Sequence, residues 1–173
     1  MFDELIVKKA IKGDDDAFMK LINKCKEQLY RTAYAYVKDE EMALDIVQET
    51  VCKAYTSINK LKESKYFNTW IIRIAINISI DMHKKKKKLV YIEEKELLNK
   101  VGGEAAGIDD RLYLLEAIET IDNKYKDVII LKYFDDLTLN EISRVLDIPI
   151  GTAKTYLNKG LVALRSYMKE EVI

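Results

Sequence analysis

From Asp14 to Val37 the apolar residues Phe18, Leu21, Ile22, Leu29, Ala33 and Tyr36 recur at steps of three and four, the repeat of a helix buried on one side. Asp14, Asp15 and Asp16 stand at its start, where carboxylates accept from orphan amides and complement the helix dipole. A second helix is predicted from about Glu40 to Ile58, with Met42, Ile46, Val47, Thr50, Val51, Ala54 and Tyr55 on its inner side. Lys38-Asp39 between them makes a tight helical hairpin.

Between Trp70 and Asp81 the local pattern is ambiguous. Ile72, Ile74, Ile76, Ile78 and Ile80 alternate with Arg73, Ala75, Asn77, Ser79 and Asp81, as in a half-buried strand. No second strand of comparable strength exists to pair with it, and a lone strand leaves its backbone groups unsatisfied. The helical reading stacks Trp70, Ile74 and Ile78 on one side and Thr69, Arg73, Asn77 and Asp81 on another, and is preferred.

His83 and Lys84 to Lys88 come next, then a Glu-rich stretch from Leu89 to Asp109 containing Gly102, Gly103 and Gly107. That composition marks a flexible acidic linker. It divides the chain into a first lobe (1–88), the linker (89–109) and a second lobe (110–173). In the second lobe Leu112, Leu115, Ile118 and Ile121 form one helical stripe, and Val128, Ile129, Leu131 and Phe134 another. Thr138-Leu139-Asn140-Glu141 has the form of a capping box and opens a helix ending near Leu146. Pro149, the only proline, suits the first turn of a last helix, which runs to about Met168 and buries Ala153, Leu157, Leu161 and Leu164. The expected fold is therefore all-α: two small helical domains joined by a linker.

Charge changes this picture, because a net charge of zero hides a strong segmentation. Residues 1–49 carry 8 basic and 11 acidic side chains, 50–90 carry 10 and 2, 91–137 carry 6 and 12, and 138–173 carry 5 and 4. The balances are thus −3, +8, −6 and +1. Two short helices with a tight turn, the second bearing Thr152, Lys154, Thr155, Tyr156, Asn158 and Lys159, have the layout of a helix-turn-helix. Four basic and no acidic side chains lie from Ile148 to Lys169, so this helix can face phosphates. An ordinary helical hairpin with a solvated basic face has the same pattern. In the basic segment Tyr66, Phe67 and Trp70 are interleaved with Lys60, Lys62, Lys65 and Arg73, which suits stacking of unpaired bases. Phe67 and Trp70 are equally suited to a core.

Catalysis has little to rest on: there is one His, no Gly-rich phosphate loop and no Ser-His or Cys-His pairing. No cofactor is expected, and no metal site, since the lysines beside His83 repel a cation. Cys25 and Cys52 lack partners with zinc spacing and are expected as buried free thiols. The amino-terminal stretch has no signal-peptide run, and the most apolar segment is shorter than the ~20 residues of a membrane span, so a cytoplasmic, non-enzymatic protein is expected.

Three segments carry a resemblance to one family. Ala43-Leu44-Asp45-Ile46-Val47-Gln48-Glu49-Thr50, Phe67-Asn68-Thr69-Trp70-Ile71-Ile72-Arg73-Ile74-Ala75-Ile76-Asn77, and Asp136 to Ile142 with Ile148 to Leu157 stand in order across nearly the whole chain. It resembles the extracytoplasmic-function (ECF) sigma factors of the bacterial sigma-70 class. Leu44 departs from the family's usual Glu, and Tyr156, Asn158 and Leu161 replace its common Arg, His and Arg.

The resemblance implies a helical isoleucine segment and a dissociable promoter-specificity subunit of RNA polymerase that acts in a stress or envelope response. It implies binding to core polymerase at the β′ clamp helices, through Asp45, Gln48 and Glu49, and also at the β flap. It places the minus-ten element on Lys60, Ser64, Phe67, Trp70, Arg73 and Asn77, with a flipped base held by the loop from Asn59 to Phe67. It places the minus-thirty-five element on Thr152, Thr155, Tyr156 and Lys159 for base edges, and on Lys154 and Arg165 for phosphates. A membrane-anchored anti-sigma partner, and a monomer when free, complete the expectation. An autonomous helix-turn-helix regulator would instead dimerise, and a sigma mimic would bind anti-sigma but no DNA.

Overall fold

The helices begin where capping side chains stand. In the computed structural model, which describes residues 2–96, 117–118 and 120–170, Asp3 Oδ1 accepts from Leu5 N at 2.8 Å and opens α1 (Glu4–Ile11). Asp14 Oδ1 accepts from Ala17 N at 2.9 Å and opens α2 (Asp15–Val37). Lys38 then turns the chain through the left-handed region (φ 50°), and Asp39 caps α3 (Glu40–Ser57) through Met42 N at 3.0 Å. The predicted hairpin is thus present. The pattern reading begins at Asp14 and leaves out α1, whose Val7 and Ala10 are fully covered.

After two 3-10 turns, Ile58–Lys60 and Ser64–Tyr66, α4 runs from Phe67 to Glu96. The isoleucine segment is helical, and the packing explains its strand-like alternation. Ile71 and Ala75 sit in a core with residues of α1, α2 and α3, whereas Ile72, Ile76 and Ile78 belong to a second core shared with the second lobe. A helix covered on two sides needs apolar residues all round. The stripe predicted from Trp70, Ile74 and Ile78 is corrected accordingly, since Trp70 and Ile74 are only half-buried.

Two further expectations are corrected. Tyr55 is 53% exposed and donates to Asp15 Oδ1 at 2.9 Å, tethering the end of α3 to the start of α2 from outside the core. Cys25 is buried, and burial pushes its thiol up to about 12, but Cys52 is exposed.

In the second lobe, Asp122 caps α5 (Asn123–Tyr133). Thr138 and Glu141 form the predicted capping box of α6 (Leu139–Leu146), with Glu141 N to Thr138 Oγ1 at 3.3 Å and Thr138 N to Glu141 Oε2 at 2.8 Å. Asp147 turns at φ 55°, Ser143 Oγ donates to Ile148 O at 2.6 Å, and Pro149 O accepts from Thr152 N at 2.9 Å as α7 (Ile150–Glu170) starts. The linker reading falls on residues of which 97–109 lie outside the described ones, as do Leu112 and Leu115; Ile118 and Ile121 are buried as predicted.

Gly160 is where α7 meets α5: a Cβ there would lie 2.6 Å from Ile129 Cδ1 and 3.2 Å from Tyr125 Cβ. Gly160→Val is expected to destabilise the chain by about 1–3 kcal/mol through overpacking, read as a lowered urea midpoint. Ile142, fully buried between the lobes, is expected to cost about 2–5 kcal/mol on replacement by Ala in the same measurement.

Candidate functional site

Residues at three- and four-residue spacing put Asp45, Gln48 and Glu49 on one outer side of α3, because the intervening Ile46 is fully buried and anchors the helix. Asp45 and Gln48 are exposed, and Glu49 Oε1 is held 2.7 Å from Lys53 Nζ. Beside them lies a groove of about 460 Å³ between α2 and α3, walled by Tyr30, Arg31, Leu44 and Val47. Leu44 is 53% exposed there, an apolar side chain among charges. The arrangement offers acceptors and an amide next to an apolar slot, which suits a basic helix presenting one apolar residue.

The predicted minus-ten residues lie along the turns before α4 and its first half, but not all on its surface. Lys60, Arg73 and Asn77 are exposed, and Trp70 is half-buried. Phe67 is 1% exposed, with ring centroids 5.0 Å from Phe2 and 6.0 Å from Trp70, so it supports the surface as core. Ser64 is buried and donates to Glu4 Oε2 at 2.8 Å, fixing the loop to α1. A cleft of about 580 Å³ opens here, bounded by Ser64, Lys65 and Asn68 of the first lobe and by Asp135, Asp136 and Glu141 of the second.

On α7, Lys154, Thr155, Lys159 and Arg165 are exposed on the outer face, and Thr152 is half-buried. Thr155 Oγ1 donates to Gly151 O at 2.9 Å. Tyr156 is half-buried, its ring edge-on to Tyr125 at 5.4 Å, so it joins the α5–α7 contact as well as the outer face. Ala153 and Leu164 point inward. The helix-turn-helix thus presents a basic face with hydroxyls nearest its start, the end that reaches base edges in a major groove.

The seam between the lobes is what the sequence pattern did not disclose. Thr32 Oγ1 lies 2.6 Å from Asp135 Oδ1, Gln28 Nε2 donates to Asp135 O at 3.3 Å, and Tyr36 Oη donates to Asp127 Oδ1 at 2.8 Å. The Arg144 guanidinium sits 4.7 Å from the Tyr66 ring centre, and Arg73 lies 3.9 Å from Asp147. Helix α6 therefore lies across the start of α4, while the outer face of α7 stays open. The one available signal was Val128-Ile129-Ile130-Leu131, a full turn of apolar residues, all buried, which a lobe of short helices cannot cover alone. Burial pushes both Asp127 and Asp135 above the usual carboxylate range, Asp135 to about 6.

Among the described residues no group of His, Cys, Asp and Glu could hold a metal ion, and no helix is long and apolar enough to cross a membrane.

Comparison with known proteins agrees with this geometry. The family model of Sigma-70 region 2 matches residues 21–89, and that of Sigma-70, region 4 matches residues 111–164. The ECF RNA polymerase sigma factor SigW of Bacillus subtilis is 34% identical over 96% of this chain and 99% of its own length. The RNA polymerase sigma factor SigV of the same organism is 34% identical over 84% of this chain and 87% of its own. Among solved structures, CnrH in complex with the cytosolic domain of CnrY superposes with a TM-score of 0.78 at 18% identity, covering 97% of both chains. RpoE of Bartonella quintana in complex with the anti-sigma factor NepR gives 0.71 at 19% identity, over 88% of this chain and 96% of that one. These two share the fold. With two region matches in the expected order and a relative aligned end to end, the chain belongs to the ECF RNA polymerase sigma factors of the sigma-70 family.

Proposed function

We propose that this sigma factor is an exchangeable, non-catalytic promoter-specificity subunit whose three surfaces divide the work. Asp45, Gln48 and Glu49 on α3 grip the β′ clamp helices of core polymerase, with Leu44 seated between them and the α2 groove. Lys60, Trp70, Arg73 and Asn77 engage the unpaired minus-ten strand, Ser64 and Phe67 holding the loop that receives a flipped base. The outer face of α7 enters the major groove of the minus-thirty-five element, with Thr152, Thr155, Tyr156 and Lys159 toward base edges and Lys154 and Arg165 toward phosphates. The second lobe docks on the β flap.

The domain limits 1–88, 89–109 and 110–173 are retained as functional units, though α4 continues to Glu96. The observation that carries the reading is the end-to-end match to a sigma factor, because it leaves neither DNA-reading region unaccounted for. The protein acts in the cytoplasm, in a stress or envelope response. It is held inactive by an anti-sigma factor anchored at the membrane, as a monomer. The two solved neighbours, CnrH with CnrY and RpoE with NepR, are the support for such a partner.

The two promoter elements lie roughly two duplex turns of ~34 Å apart. Lobes packed against each other through a shared core cannot span that distance. The closed seam must therefore open, with the linker drawn along a basic groove of the polymerase. The acidic first and linker segments also oppose DNA binding by the free chain. Mobility shifts with promoter duplex in physiological salt test this. Specific binding is expected only when core polymerase is added, and nanomolar binding by the free chain contradicts it.

A further inference from the structure

The seam residue Asp135 sits in an arrangement that counts protons. Thr32 Oγ1 lies 2.6 Å from Asp135 Oδ1 and 2.9 Å from the Gln28 carbonyl oxygen. A hydroxyl has one proton and a carbonyl has none, so with Asp135 ionised only one of these two contacts is a hydrogen bond. Both are satisfied when the carboxyl brings a proton of its own and donates it to Thr32 Oγ1, leaving the Thr32 proton for Gln28 O. The other carboxyl oxygen, Oδ2, is buried with no hydrogen-bond partner among the described residues, and burial disfavours the carboxylate charge by more than Thr32, Gln28 and Arg31 favour it.

We propose that Asp135 is a proton-carrying latch between the lobes: closing the seam takes up one proton at its carboxyl, and losing that proton loosens the seam.

The surrounding charges are mixed. Arg31 on α2 favours the ionised form, and Asp136 favours the neutral one. Lys24 on α2, Glu4 on α1, Lys65 before α4 and Glu141 on α6 line the adjoining cleft. Lys132 on α5 points its ammonium to Leu137 O at 3.3 Å. Tyr36 on α2 donates to Asp127, whose charge is further supported by Lys126, so that second buried carboxylate is a poorer proton carrier. Burial outweighs these influences at Asp135 and sets its titration near 6 in the closed form; in an open form it returns to the ordinary ~3.9.

A group raised in the closed form binds more protons there. The protonation contribution to closure is therefore fully present at low pH and is lost as pH rises through about 6. Two-state linkage between these two values makes the closed-to-open ratio about tenfold higher at pH 5 than at pH 7.5. Because α6 lies across the start of α4 and Asp147 lies 3.9 Å from Arg73, acidification keeps α6 beside the minus-ten residues and Arg73 engaged; the consequence for promoter binding rests on the function proposed above, whereas the latch itself does not.

The test uses the full chain. Carboxyl carbons are titrated by NMR, and the lobe separation is measured by pulsed electron spin resonance between labels on the native exposed Cys52 and on Ser166→Cys, Cys25 being buried. One carboxyl is expected to titrate near 6 and to vanish in Asp135→Asn. The short-distance population is expected to grow between pH 7.5 and pH 5 in wild type and to be pH-independent in Asp135→Asn, whose amide can donate to Thr32 but cannot ionise. The proposal is overturned if no carboxyl titrates above the ordinary range, if wild-type separation ignores pH, or if Asp135→Asn keeps the wild-type response. Should Asp135→Asn not fold, the two wild-type titrations decide alone. A latch confirmed alongside single-strand binding that is equal at both pH values would fault the minus-ten assignment and leave the latch standing.

Discussion

Replacing Gln48 and Glu49 together by Ala is expected to remove association with core polymerase while leaving the helix content and unfolding midpoint nearly unchanged. Both positions lie on the outer side of α3, away from the fully buried Ala43, Ile46, Thr50 and Ala54. Alanine is the best helix former, so the backbone is not weakened. The Glu49–Lys53 pair is exposed on both sides and lost, a change of ~0.3–0.5 kcal/mol. At the interface, each truncated hydrogen-bonded charge partner in a desolvated contact costs about 2–5 kcal/mol. Losing a charged and a neutral contact together therefore weakens binding by roughly a hundredfold or more. Pull-down of core subunits, with circular dichroism on the same samples, reads both parts. An undiminished pull-down refutes the α3 contact.

Lys154→Ala combined with Lys159→Ala is expected to abolish promoter-directed transcription while core binding persists. Both ammonium groups are exposed on the outer face of α7, and neither neighbours an acidic side chain on that helix before Glu170. Each phosphate contact contributes about 0.9 to the slope of log affinity against log salt, so the double variant should reduce that slope by about 1.8 for the polymerase complex. Substituting Thr155 instead should change which sequences are preferred and leave the slope intact, because a neutral hydroxyl releases no counterions. Loss of transcription with anti-sigma binding intact excludes a mimic that reads no DNA, and retained transcription in the lysine variant contradicts the α7 assignment.

Much of this architecture is legible in the chain because it is local. Asp14 and Thr138 announce helix starts through short-range hydrogen bonds, and each capped the helix expected of it, while Asp39, read only as part of the hairpin, caps α3 as well. Ile148-Pro149 marks the helix-turn-helix turn by steric restriction alone. Nonlocal facts are illegible for the complementary reason. The alternating isoleucines of α4 look like a strand because two different cores claim opposite sides of one helix, and nothing within eleven residues says so. Thr32 meets Asp135 across 103 positions, and an Asp in a short acidic turn reads as solvated until a second lobe covers it. Among the candidate site residues, Asp45, Gln48, Arg73 and Lys159 lie at the surface. Phe67 does not, because an aromatic beside lysines satisfies the pattern of a stacking platform and of a core alike, and Phe2 of the unforeseen α1 decides for the core.

The central claim is that two lobes, each weak alone, become competent when a much larger enzyme fixes them apart. In vitro transcription with core polymerase over a library of randomised upstream sequences tests it most directly. The account predicts discrete start sites that appear only when this chain is added and that share two sequence blocks about two duplex turns apart. A transcript distribution indistinguishable from that of core polymerase alone would contradict it.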